Sequence, residues 1–246
     1  KVMMGAERRS LVMKDEERRL TAYHEAGHAL CAMKVQGNDP LHKVTIVPRG
    51  RALGVAYTLP EDDRVSITRQ QLEARLVMAY GGRVAEELVF GRDRVTTGAA
   101  SDIQHATTIA RHYVTHWGLS DAVGPVMVGD NEQEVFLGRD ISHRRGVSER
   151  LARLVDSEVA RVIGDAYKRA AVVLSESLDQ LHRVAAALLE RETLTREDVE
   201  LLMEGKELPP FRSSAPTPPE LPASPAPAKE RTTPPVGVEG LKPRLA

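Results

Sequence analysis

From Asp15 to Gln36 the small and apolar residues Leu20, Tyr23, Gly27, Leu30, Cys31 and Val35 recur at intervals of three and four. That is the period of an α-helix, and Gly37 supplies a natural stop. The stretch TAYHEAGHAL, Thr21 to Leu30, lies inside it and carries His24, Glu25 and His28. No other feature constrains the fold as much. The rest of the chain must pack around a helix that bears two imidazoles and a carboxylate.

Residues four apart on a helix are separated by about 40° and one turn, so His24 and His28 can aim at one ion. Glu25 lies about 100° around from His24, free to approach an open metal position as a general base without being a ligand. With 8 histidines in the chain, composition alone would produce H-E-x-x-H about once per hundred such sequences. A catalytic zinc site wants a third protein ligand. The extension H-E-x-x-H-x-x-G-x-x-H is absent, because positions 31 and 34 are Cys and Lys. Cys31, Glu86 in GGRVAEELVFG and Asp102 after TTGAAS are the candidates, and spacing alone does not choose among them. His112 and His116 repeat the four-residue spacing but have no glutamate between them, so they read as solvated or interface residues.

The remaining periodicity is mostly helical. Thr68 and Gln71 have capping-box spacing ahead of a helix running toward Gly91, with Gly81 and Gly82 inside it as a close packing point or a break. Ser101 and Gln104 open a further helix that Gly118 would end. From Ser148 the chain returns to three helical segments. HKVTIV and LGVAYTL read as a β-hairpin, and GPVMVG and EVFLG as short strands that could join it. The expected fold is mainly α, six helices with a small β-sheet, over residues 1–206. After that, 207–246 is a Pro-rich tail whose composition predicts disorder.

Lys and Arg number 34 against 35 Asp and Glu, a net charge of -1 that gives no electrostatic pull toward nucleic acid. With one cysteine, no disulfide can form within the chain. No run of about 18 apolar residues occurs, so the expectation is a soluble fragment. Its opening on Lys1 suggests a piece of a longer polypeptide.

Five blocks in order, TAYHEAGHAL, DPLHKVTIVPRGRALGVAYTLPEDD, YGGRVAEELVFG, VTTGAASDIQHAT and HWGLSDAVGP, closely resemble the peptidase domain of the FtsH family, membrane-anchored AAA zinc metalloproteases. The resemblance covers roughly residues 6–203. It implies one zinc ion held by His24, His28 and Asp102, with Glu25 as the base that activates water and Glu86 as a supporting acid. It also implies polypeptide substrates, a homohexamer, and a parent protein at the cytoplasmic face of a membrane. Membrane contact and ATP would then belong to upstream segments, since this chain has no G-x-x-x-x-G-K-[ST] loop.

An unfolded substrate could add as a strand to the sheet edge near Leu53, Gly54, Val55, Ala56 and Tyr57. Two rival readings are a ring-forming helical assembly module with a vestigial motif and a zinc hydrolase of small amides.

Overall fold

The computed structural model describes residues 13–48, 52–60, 66–129 and 147–210. The EVFLG strand candidate and residues 211–246 of the expected tail lie outside the described residues. In chain order the elements are α1 (Asp15–Lys34), β1 (Leu41–Thr45), β2 (Val55–Thr58), α2 (Arg69–Phe90), α3 (Ala100–Thr115), α4 (Glu149–Ser175), α5 (Leu178–Arg191), β3 (Thr193–Thr195) and α6 (Arg196–Met203). Six described helices and one three-stranded sheet match the mainly helical expectation.

Asp15, Glu16 and Glu17 sit in the first turn of α1, where carboxylates offset the positive end of the helix dipole. Every residue from Thr21 to Ala32 is buried, so α1 is a central helix rather than a surface one. It packs against α2, α4, α5, β1 and β2. It ends two residues before the expected Gln36, and Gly37 takes the turn at φ 109°.

Helix α2 starts at the predicted capping box: Thr68 accepts from the Gln71 amide, and Gln71 accepts from the Thr68 amide. It runs unbroken through Gly81 and Gly82. A Cβ on Gly27 would lie 2.3 Å from the Gly81 carbonyl oxygen, and one on Gly81 would lie 2.6 Å from that of Gly27. Close helix approach therefore accounts for both glycines, and it draws the face of α2 onto the two histidines of α1.

Strand order is β2-β1-β3, antiparallel throughout. Val44 pairs with Ala56 on one side and Leu194 on the other. The hairpin is as expected, but the third strand is Thr193–Thr195 and not GPVMVG. The latter forms no strand: Gly124 bonds back to Ser120, and the Val128 amide donates to the Thr115 carbonyl. It thereby serves the orphan carbonyls at the end of α3.

Helix α3 begins at Ala100, one residue before the expected cap Ser101, because a 3-10 turn at Thr97–Ala99 leads directly into it. Thr96 caps that turn through the Gly98 amide. Ser148 and Thr195 cap α4 and α6 in the same manner. Among the described residues, no helix is long and apolar enough to cross a membrane.

Candidate metal centre

Helix α1 brings the two imidazoles together edge to face, with their Nε2 atoms 3.0 Å apart. The outer nitrogens determine what those inner ones can do. His28 Nδ1 lies 2.8 Å from the Met78 carbonyl, which can only accept, so Nδ1 carries the proton and Nε2 is bare in the neutral ring. His24 Nδ1 lies 2.8 Å from Glu86 Oε1. Burial pushes the Glu86 carboxyl up, but bonds from His24 and the Thr96 amide outweigh it and hold a carboxylate there. In the neutral ring His24 therefore also presents a bare Nε2.

Asp102, at the third position of α3, closes a triangle: its Oδ2 is 3.3 Å from His24 Nε2 and 3.6 Å from His28 Nε2. Burial would raise its carboxyl, yet the two imidazoles hold it well below the usual carboxylate range. Three lone pairs thus converge with no proton supplied by the neutral rings, an arrangement that repels itself unless a cation lies among them. Where a proton takes that part, it is held tightly. Burial opposes it, but Asp102 and Glu86, with the charge of Glu25, raise His24 to about 10.

The donor set fits zinc. Donors about 2.0–2.1 Å from a tetrahedral ion stand about 3.3 Å from one another, close to the three edges seen. Room for the ion comes from α2, since a Cβ on Gly82 would lie 2.5 Å from His24 Nε2 and 2.6 Å from His28 Nε2. His24, His28 and Asp102 form the one group of three or more possible metal-ligating side chains among the described residues.

Glu25 is buried beside them at 6% exposure. Burial raises its carboxyl, partly countered by the two histidines and a backbone hydrogen bond at Ala56. A Cβ on Gly54 would lie 2.8 Å from Glu25 Oε1, so the backbone entering β2 borders the carboxylate. Of the other predicted contact residues, Leu53 is exposed, and Val55, Ala56 and Tyr57 are half-buried on an outer strand of the sheet.

Cys31 is fully buried, lies outside the metal-ligating group, and is pushed up to about 12 by that burial. Glu87 faces away toward Arg83 and Tyr167. His112 and His116 lie outside the cluster, and His116 is exposed. Three contributors escaped the sequence reading: the Met78 carbonyl, Gly82 and Thr96. A backbone carbonyl leaves no residue-type signal. Gly82 was visible only as an anomaly, and the link from Thr96 to Glu86 crosses two elements.

The fold and site define a mainly helical domain with a candidate metal centre of three converging donor side chains. Residues 11–202 match peptidase family M41. The chain is 52% identical over 212 residues to an ATP-dependent zinc metalloprotease FtsH of Caulobacter vibrioides, covering 86% of this chain and 34% of that protein. It is 54% identical over 211 residues to ATP-dependent zinc metalloprotease FtsH 4 of Sorangium cellulosum, covering 85% and 32%. To the FtsH of Neorickettsia risticii it is 50% identical over 206 residues, covering 84% and 31%. The chain belongs to peptidase family M41 as an FtsH-family peptidase domain. It spans about a third of the length of the curated relatives it matches.

Proposed function

We propose that this chain is a zinc-dependent endopeptidase domain of the H-E-x-x-H type. It would cleave unfolded or membrane-extracted polypeptide within an ATP-dependent, membrane-anchored homohexamer. The observation that carries the reading is the convergence of three donor atoms, from His24, His28 and Asp102, beside the buried side chain of Glu25. One zinc per chain would be held there, with Glu86 fixing the ring and tautomer of His24. Residues 1–206 would form the zinc metalloprotease domain and 207–246 a Pro-rich tail whose composition favours disorder. ATP and membrane contact would belong to other parts of the parent protein, at the cytoplasmic face.

When bound, zinc supplies a Lewis acid that polarises the scissile carbonyl. Glu25 takes the proton of the attacking water and later delivers it to the leaving amine. Burial suits it to both steps, because a carboxylate made more basic by its surroundings holds a proton long enough to hand it on. The outer strand β2 offers main-chain donors and acceptors to an extended substrate, and Gly54 lets that backbone run against Glu25.

The test is cleavage of an unfolded, fluorescently labelled casein by the zinc-loaded chain, beside Glu25→Gln and a chelated sample. A short unstructured peptide serves as second substrate. Cleavage lost in both controls supports the reading. If zinc is bound stoichiometrically and neither substrate is cut, an assembly module with a vestigial motif becomes the better account. Cleavage of small amides alone points to a hydrolase of another class.

A further inference from the structure

A second pair of histidines lies at the C-terminal end of α3, outside the site just described. His112 and His116 are one turn apart, with ring centroids 4.8 Å apart and planes at 78°. The metal-centre pair His24 and His28 shows 4.7 Å and 76°. The helical spacing is intact, since the His116 amide donates to the His112 carbonyl.

The tautomer of His116 follows from its neighbour. The Thr115 hydroxyl donates its single proton to the Arg111 carbonyl at 2.7 Å. Its oxygen, 2.7 Å from His116 Nδ1, is then left to accept, which puts the imidazole proton on Nδ1 and bares Nε2 for a ligand. This is the arrangement by which metal-binding histidines are usually oriented. The last turn of a helix also carries partial negative charge, which favours a cation there.

We propose that His112 and His116 form a second metal site, for a divalent transition ion of the imidazole-preferring class, with copper(II) the tightest and nickel(II) and zinc(II) weaker. Two imidazoles leave the other coordination positions to water, so an ion held there exchanges readily. Trp117 reports on it directly: it is the only tryptophan in the chain, and its ring centroid is 5.5 Å from that of His112.

Nickel(II) is titrated into the zinc-loaded chain while Trp117 fluorescence is followed. Saturable quenching is expected, with a midpoint at least about tenfold higher, or about 1.4 kcal/mol weaker, in His112→Ala and in His116→Ala. Thr115→Val, which keeps both rings, should weaken binding by about tenfold through loss of the orienting bond. Far-UV circular dichroism verifies that each variant retains its helices. Quenching that rises linearly without saturation, or a midpoint unchanged in His116→Ala, overturns the proposal.

Discussion

Gly82 of α2 faces His24 of α1 so closely that a Cβ on the glycine would stand 2.5 Å from both Cε1 and Nε2 of the ring. The glycine thus leaves the space between the two imidazoles of the candidate metal centre without offering a ligand atom. Gly82→Ala should lower zinc occupancy in metal analysis of the purified chain while leaving most helical content in place. Full zinc stoichiometry in that variant would show that the rings can retreat without loss.

Gly27→Ala should act differently, because its Cβ would meet backbone, 2.3 Å from the Gly81 carbonyl oxygen. Helices α1 and α2 would have to separate, at a cost of about 1–3 kcal/mol or more. Thermal denaturation of zinc-free protein should show a lower Tm than wild type. An unchanged Tm would mean that the crossing is looser than described.

Asp102 and Glu86 should separate by their effect on zinc. Asp102→Ala removes a donor atom and should abolish stoichiometric zinc. Glu86→Gln keeps the shape but exchanges the carboxylate beside His24 Nδ1 for an amide, and should weaken zinc by about 10–100-fold. Competition against a chromogenic chelator measures both, and the reverse order would make Glu86 the ligand.

If substrate pairs with β2, peptide substrates N-methylated at alternate backbone amides should show a raised KM against the unmodified peptide. Equal KM values would remove β2 as the docking edge.

Glu158 ties α4 to the loop after α3, accepting from Ser120 at 2.6 Å and from Arg161 at 2.9 Å. The Arg161 bond, then that of Ser120, holds its carboxyl down at about 2 against the opposing effect of burial. A carboxyl lowered on folding contributes stability that is complete above its unfolded value near 4.5 and is lost as pH falls toward about 2. Glu158→Gln should therefore lower stability at pH 7 by about 1–3 kcal/mol. The difference from wild type should shrink as denaturation is repeated at progressively lower pH down to 2. A constant difference would assign the loss to packing.

Local spacing determined a good deal here. The 3.6-residue period placed α1, α2 and the three C-terminal helices, and Thr68 with Gln71 marked the start of α2, because a capping box is satisfied within four residues. H-E-x-x-H put His24, Glu25 and His28 on one helix for the same reason. Resemblance to a family, not spacing, pointed to Asp102. Tertiary structure decided what depends on partners distant in the chain. Strand β3 is three residues long and exists because β1 offers it an edge, so TLT carries no signal that GPVMVG lacks. The tautomers of His24 and His28 depend on Glu86 and the Met78 carbonyl, which reach the two rings because Gly27 and Gly81 let two helices touch. A cluster of candidate donor atoms assembled from α1 and α3, with its space left by α2, is a property of packing, and periodicity along one chain segment cannot encode it.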